Sequence, residues 1–389
     1  MWWSALARWA ERQPWPDLST AWSVQPWRDW GRHLQTMGVL RHGQGDDDWS
    51  LWAAPLTQDG GLSMGALSRL VEAWSSQGPA AGLGWALHRW ALGDWVLRQA
   101  SAWPHDDAVP VYAGAGTWGW CPEALVPWWR GQALCEAQSE ALSDWSRVAS
   151  TGSMLLLPGH WTHLVRAVWR GRAPADASMG GWQWQVLARE QAELHAAEQV
   201  GPAALGLRPL QSWCIRAADD AWQALACSAP HANALWREVL LKDQLGVMAV
   251  ASGAWQAADR VVQDHVALRR QGGRALSEHP AVQQMRGRMV AAGRAVAALM
   301  QAWQQPTHGP EHLDALAAVL LDRCAVHEHL ARLTDEGLQA MGAAGYLADS
   351  PVAQAWRDQR VLRQLAGGVA DAHRVAAGCA RMGGLSHGL

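Results

Sequence analysis

Residues 240–289 decide the fold of this chain, and they read LLKDQLGVMAVASGAWQAADRVVQDHVALRRQGGRALSEHPAVQQMRGRM. Apolar or small residues recur there at the spacing of one helix face, at Leu241, Leu245, Met248, Ser252, Trp255, Val262 and Val266. A helix from 241 to 269 would be about 43 Å long, enough to cross a domain. Gly272-Gly273 is predicted to end it, and Pro280 fits the first turn of a second helix. The sequence therefore predicts two long antiparallel helices joined by an arginine- and glycine-rich turn.

Further helices are predicted downstream of this pair. Apolar residues at helical spacing predict a helix over residues 311–333. Ser350-Pro351 is a typical helix start, because serine caps the first turn and proline fits its first position. Gly367-Gly368 is predicted to end that helix, and one more helix is predicted after it. Long helices in succession favour a helical bundle.

Two stretches of this region resemble the acyl-CoA dehydrogenase family. Residues 269–289 resemble its pattern R-x-x-F-G-x-x-[LI]-x-x-x-Q-x-x-Q-x-x-[LM]-x-x-M, which is kept at Arg269, Gly273, Leu276, Gln283 and Met289. The chain departs from the pattern at Gly272, Pro280 and Arg286. Residues 339–358 resemble the family's Q-x-x-G-G-x-G-[YF]-x-x-x-x-P-V-x-x-x-x-R-D. Two such patterns in the right order are more specific than either alone.

The resemblance implies an α+β fold with three domains. These are an N-terminal helical domain (residues 1–103), a middle antiparallel β-barrel or sandwich (104–230) and a C-terminal four-helix bundle (231–389). The composition of residues 104–230 agrees with a β domain, since this stretch is rich in Gly, Pro and Trp and contains short β-prone runs. Gly206-Leu207-Arg208 is similar to a family stretch that precedes a strand. The family's flavin-binding stretches of the β domain have no convincing counterpart.

By resemblance, the chain is an FAD-dependent enzyme that dehydrogenates an acyl-CoA or a related acyl thioester between its α and β carbons. That chemistry needs a carboxylate to take the α-proton. In most relatives a Glu supplies it, but Ala366 or Gly367 stands at that position here. Some relatives carry the base on the long helix instead, and the matching position is Asp243. Asp243 is therefore the predicted base, and a solvated acid on the outer helix face is the alternative interpretation.

The same resemblance implies the cofactor contacts. Arg269 is predicted to bind the pyrophosphate of FAD in a neighbouring subunit, because a guanidinium can grip phosphate through two hydrogen bonds. Gln339 and Gly342 are predicted to flank that same cofactor, and Gly368 and Asp371 to contact FAD through the first turn of the last helix. A site completed between chains implies a homodimer or a homotetramer.

Composition excludes several classes of function. The net charge of −3 gives no electrostatic reason to expect nucleic-acid binding. No apolar run reaches the roughly 20 residues of a membrane span. The start of the chain lacks the pattern of a signal peptide, and the six Cys are scattered, so we expect a cytoplasmic protein. With 29 Trp and no Phe, indole rings must fill the aromatic core positions, where each buried N–H needs a partner.

Other patterns are interpreted as coincidental. Residues 114–119 spell G-x-G-x-x-G, but prolines interrupt the helix that a dinucleotide site requires. The His and Cys pairs lack the spacing of a zinc site, so no metal is predicted. The G-x-S-x-G pattern around Ser63 and Ser386 does not follow a strand. His88 is interpreted as a packed helix residue.

Two alternatives to a dehydrogenase stay open. The missing Glu and the weak β-domain patterns also suit a catalytically degenerate protein of this fold that serves as a binding or assembly partner. A flavin monooxygenase on the same scaffold is a further alternative, since it would need no carboxylate base.

Overall fold

The structure is a computed structural model, and it describes residues 40–42, 49–51, 71–72, 80–100, 111–113, 140, 154–157, 163–170, 181–188, 198–199, 206–208, 210–214, 219–303 and 313–381. The 114–119 pattern lies outside the described residues, as do Ser63 and Ser386.

Six helices have their bounds in the described part of the chain, and five of these lie in its C-terminal region. They are α1 (Ala80–Gln99), α2 (Ala229–Leu268), α3 (Pro280–Ala302), α4 (Leu313–Met341), α5 (Pro351–Leu362) and α6 (Gly368–Arg381). Helix α4 packs against α2, α3, α5 and α6, and α2 also packs against α1. The C-terminal region thus contains the five successive helices that the sequence predicts.

The strands of the middle region form two sheets, and two short hairpins lie elsewhere. The strands are β1 (Leu40–His42), β2 (Trp49–Leu51), β3 (Val111–Ala113), β4 (Met154–Leu157), β5 (His163–Arg170), β6 (Gly181–Ala188), β7 (Glu198–Gln199), β8 (Gln211–Cys214), β9 (Gln223–Ala224), β10 (Arg270–Gln271) and β11 (Arg274–Ala275). One sheet has the order β3-β5-β6-β9 and the other β4-β8-β7. All pairs are antiparallel except β3 with β5, which are parallel.

Helix α2 is the central element, and its first third packs on the four-stranded sheet. Trp236 of α2 is fully buried and its ring lies 4.4 Å from that of Trp182 on β6. Trp184 of the same strand donates from its indole N–H to the carbonyl of Ala232 at 3.3 Å. Helix α2 and strand β6 thus both contribute tryptophans to this contact, and the packed indole rings stabilise the interface between the sheet and the helices.

The turn between α2 and α3 differs from the predicted helix stop. Helix α2 ends at Leu268, and Arg269 already has an extended backbone. The glycine pair instead closes the hairpin β10–β11, where Gly272 and Gly273 have φ of +59° and +82°. Positive φ at both central residues is what a two-residue hairpin turn requires, and glycine adopts it at little cost.

Two stretches that resembled the family contact each other across the fold. The backbone N–H of Leu207 donates to Asp358 Oδ1 at 2.6 Å, and Gln354 Nε2 donates to the same oxygen at 2.7 Å. A Cβ at Gly206 would lie 2.6 Å from the carbonyl oxygen of Arg357, so only glycine fits there. Burial raises the pKa of Asp358 to about 6, although both donors oppose the shift.

Candidate functional site

The chain path brings three of the predicted cofactor residues to one end of the bundle. Helix α3 runs antiparallel to α2, and α4 runs antiparallel to α3, as the Arg288 Nε–Glu336 Oε1 contact of 2.6 Å near this end shows. Arg269 follows the end of α2, while Gln339 and Gly342 lie at the end of α4. These three residues are called the bundle end below.

Each residue of the bundle end is open to solvent in the single chain. The side chains of Arg269 and Gln339 are exposed, and Gln339 Nε2 donates to the hydroxyl of Tyr346 at 2.7 Å. Gly342 has φ of +58°, and a Cβ there would meet nothing within 4 Å. A guanidinium, a carboxamide and a backbone free of side chain are suitable donors and contact surfaces for a phosphate-containing ligand. The described residues at this end therefore fit one half of a dinucleotide.

A groove begins beside the bundle end and runs between α3 and α4. Its volume is 920 Å³, and Gln339, Tyr346, Met289 and Trp356 contribute to its lining. Methionine and aromatic side chains line it together with charged ones, which include the paired Arg288 and Glu336.

Gly368 and Asp371 lie away from the bundle end. Gly368 opens α6 with φ of +69°, and Cys324 Sγ of α4 contacts the carbonyl oxygen of Val369 at 3.6 Å. Cys324 precedes Gln339 by fifteen residues of helix, which is about 22 Å along the axis. Asp371 pairs with Arg374 at 3.0 Å. The five predicted cofactor residues thus form two separate groups.

Asp243 does not lie on an outer helix face. It is only 1% exposed, and its Oδ1 lies 3.3 Å from Arg89 Nη1 and 3.5 Å from His88 Nε2, both on α1. Burial alone would raise the pKa of Asp243, but the Arg89 guanidinium, with His88 and Arg323, holds the pKa below its usual range. The carboxylate is therefore kept as an anion, and a low pKa makes it a weak base.

The backbone carbonyl of Ala366 is held by two buried side chains. Ala366 is buried with φ of +49°, and its carbonyl accepts from Gln244 Nε2 at 3.0 Å and from Arg323 Nη1 at 2.8 Å. Arg323 also donates to the carbonyl of Leu365 and to Gln244 Oε1, the latter at 2.6 Å. Burial lowers the pKa of Arg323 to about 10. No side chain at 366 can take a proton, but Arg323 fixes the path of the chain.

Sequence reasoning missed the partners that surround Asp243. His88 is buried, as predicted for a packed helix residue, but no sequence pattern indicates Arg89, Gln244 or Arg323 as neighbours of Asp243. A signal was present, because Arg323 interrupts the apolar stripe of α4 and His88-Arg89 interrupts that of α1. A charge on an apolar helix face needs a buried partner.

The C-terminal residues match a known protein family. Residues 236–375 match the model of the acyl-CoA dehydrogenase C-terminal domain. These residues are 140 of the 389 in the chain, and over them the chain is similar to that domain. No curated protein sequence matches the chain significantly.

Solved structures with the acyl-CoA dehydrogenase fold align with almost the whole chain. The prolyl acyl carrier protein oxidase AnaB is 14% identical, with 98% of each chain covered and a TM-score of 0.66. Butyryl-CoA dehydrogenase from Megasphaera elsdenii is 13% identical, with 98% of this chain and 97% of that chain covered and a TM-score of 0.63. A glutaryl-coenzyme A dehydrogenase complex with glutaryl-CoA is 14% identical, with 98% and 94% covered and a TM-score of 0.64. At these identities the similarity establishes the fold.

In the described part of the chain, no helix combines the length and the apolar character that crossing a membrane requires.

Proposed function

We propose that the chain is an FAD-dependent oxidoreductase that dehydrogenates an acyl thioester between its α and β carbons. The observation that carries this proposal is the meeting of Arg269, Gln339 and Gly342 at one open end of the bundle. Proteins with the same fold include one solved as an FAD complex. Bound FAD would supply the acceptor for the β-hydrogen of the substrate.

The two groups of predicted cofactor residues suit two copies of the cofactor. Arg269 and Gln339 would hold the phosphate-bearing half of a partner subunit's FAD, and Gly342 would let that cofactor approach the backbone. Gly368 and Asp371, about 22 Å away along α4, would contact the chain's own FAD. The proposed enzyme is therefore a homodimer or a homotetramer, with each site completed by its neighbour.

Apolar exposure at the bundle end supports a partner chain there. Leu268 is 79% exposed, and Tyr346 and Leu347 are each 58% exposed. These side chains lie beside Arg269 and Gln339 in sequence, at the same end of α2 and α4. Large apolar side chains grouped with polar ones are typical of a surface that another protein covers.

A second candidate function is that of a non-catalytic family-fold protein. Two observations favour it, namely the alanine at position 366 and the pairing of Asp243 with Arg89. An enzyme needs a group that can take the α-proton, and neither position offers a strong carboxylate base. Reduction of bound flavin by an acyl-CoA distinguishes the two functions, because only the enzyme supports it.

The first test is the flavin content of the purified protein. We expect a yellow protein with close to one FAD per chain, and we expect Arg269→Gln to weaken FAD binding at least about tenfold, because a charge-assisted contact to phosphate is lost. Arg294→Gln is the matched control, since Arg294 is also exposed but lies on α3, fourteen residues beyond the start of that helix. A colourless protein that takes up no added FAD would remove the proposal. Full FAD binding by Arg269→Gln would remove the assigned contact.

A further inference from the structure

Helices α1 and α2 cross at a buried polar cluster that consists of His88, Arg89, Asp243 and Gly246, called the helix crossing below. Asp243 and Gly246 are three residues apart and therefore lie on the same face of α2. His88 is 5% exposed and Arg89 4% exposed, so both α1 side chains are withdrawn from solvent. Burial of three ionisable groups together is costly, which makes a structural accident a poor explanation.

The backbone of α2 provides the space for the imidazole. A Cβ built on Gly246 would lie 2.2 Å from both Cε1 and Nε2 of His88. Any other residue at 246 would displace the ring. The ring therefore presents its Nε2 edge to α2 and to Asp243, and its Nδ1 lies on the edge away from Gly246.

The charged groups at the helix crossing have unused hydrogen-bonding capacity. His88 Nε2, Arg89 Nη1 and Asp243 Oδ1 are buried and have no hydrogen-bond partner within the described residues. Their mutual distances of 3.3 and 3.5 Å are those of ion-pair contacts and fall short of good hydrogen-bond geometry. Arg89 is held from its other side by Trp85, whose ring centre lies 4.4 Å from the guanidinium carbon.

The negative charge of Asp243 beside Nε2 favours one tautomer of the imidazole. A carboxylate can only accept, so a neutral His88 that faces Asp243 through Nε2 carries its proton on Nε2. The lone pair is then on Nδ1. Burial lowers the pKa of His88 below its usual range, Asp243 opposes that shift, and Arg89 and Lys242 add to it. Burial therefore favours the neutral imidazole, which is the form that has a lone pair.

We propose that His88 is the proton acceptor of this site and that Asp243 is a positioning residue that orients the imidazole and stabilises its protonated form. The proposal rests on the function proposed above and refines it, because it moves the base from Asp243 to His88. In the step itself, the Cα–H bond of an acyl thioester breaks, the proton forms an N–H bond at Nδ1, and the electron pair stays on the substrate as an enolate. Arg89 remains the fixed positive charge that keeps Asp243 ionised.

Exchange of the α-protons of butyryl-CoA in D₂O tests the proposal without requiring oxidation. The full-length protein is incubated anaerobically with butyryl-CoA, and loss of the α-proton signal is followed by NMR. We expect His88→Gln to slow exchange by at least about 10²-fold, the usual effect of losing a general base. His231→Gln is the matched control, because His231 is an exposed histidine elsewhere on α2. A fluorescence unfolding curve checks that each variant is folded.

The pH dependence of exchange separates a positioning role of Asp243 from a role as base. Asp243 raises the pKa of His88, so Asp243→Asn should move the acidic limb of the rate profile to lower pH and lower the rate. If Asp243 were itself the base, Asp243→Asn would abolish exchange and His88→Gln would leave it at the wild-type rate. That pair of results overturns the proposal.

The flavin content distinguishes failure of this proposal from failure of the proposed function. A wild-type protein that exchanges no α-protons overturns the role of His88, whether or not it holds flavin. A colourless protein that still exchanges α-protons through His88 overturns only the redox function.

Discussion

The bundle end and the helix crossing hold the two groups of candidate residues that matter most, and they differ in their exposure to solvent. Arg269 and Gln339 are exposed, whereas His88, Arg89 and Asp243 are at least 95% buried. An exposed polar residue without a ligand lowers the free energy of unfolding very little, because water solvates it. A buried charge without a partner lowers it strongly. Substitutions at the bundle end can therefore change ligand binding without loss of the fold. Substitutions at the helix crossing are expected to change both the proposed proton transfer and the stability of the protein.

The largest effect on stability is expected when the helix crossing loses its carboxylate. Asp243→Ala would leave the guanidinium groups of Arg89 and Arg323 buried without this anion, so we expect a loss of about 3–5 kcal/mol in the free energy of unfolding. Urea denaturation measures it. Asp264→Ala is the matched control, because Asp264 is an exposed acid on the same helix and should change stability by less than about 0.5 kcal/mol. Equal effects of the two variants would contradict the difference between the regions.

The residues of the bundle end are easier to predict from the sequence than those of the helix crossing. Arg269, Gln339 and Gly342 are predicted from local patterns within one helix turn or loop, and their cofactor role stays a prediction. Asp243 was found by its distance from Arg269 along α2, but its partners come from α1, some 150 residues earlier in the chain. A contact of that sequence separation leaves no periodic signal, and so the sequence supported an outer-face acid as readily as a buried one.

The same reasoning applies to the fold. The long helices, the proline at the start of α3 and the Ser350 cap, whose side chain accepts from the N–H of Ala353, were predictable from local chemistry. The parallel pairing of β3 with β5 was not, because strand partners are chosen by tertiary packing. The domain boundaries at 103 and 230 stay predictions.

A pH-dependent effect of somewhat smaller size is expected at Asp358, a buried carboxyl outside both regions. Its pKa in the folded protein is about 6, against 3.8 for an unperturbed group. Because the folded state binds this proton more tightly, the stabilisation is complete below pH about 4 and is lost as the pH rises through 6. The loss amounts to up to about 3 kcal/mol at 1.36 kcal/mol per pKa unit.

Asp358→Asn keeps the oxygen that accepts from Leu207 but does not titrate in this range. The difference in unfolding free energy between wild type and Asp358→Asn should therefore change by that amount between pH 4 and pH 7. Urea unfolding curves at the two pH values provide the measurement. A difference that does not depend on pH would show that Asp358 titrates normally.

An intermediate effect is expected from filling the space that Gly246 leaves for His88. Gly246→Ala places a methyl group against the imidazole ring, and overpacking of this kind costs about 1–3 kcal/mol. The same change should separate His88 from Asp243 and slow α-proton exchange. Gly287→Ala, on exposed α3 with open space around the new Cβ, should instead be neutral or stabilising. If Gly246→Ala matched Gly287→Ala in both measurements, the close packing at the helix crossing would be wrong.

The smallest effect is expected at Ala366, which with Gly367 is one of the two positions where the family resemblance leads us to expect the base. Its φ of +49° costs an L-residue about 1 kcal/mol, which glycine avoids, although glycine also gains freedom in the unfolded chain. We therefore expect Ala366→Gly to be neutral or to stabilise by up to about 0.5 kcal/mol. Ala370→Gly, at an exposed helical position of α6, should destabilise by about 1 kcal/mol. Thermal unfolding measures both variants. A neutral or stabilising Ala366→Gly beside a destabilising Ala370→Gly would support the left-handed backbone at 366, whereas equal destabilisation by both variants would contradict it.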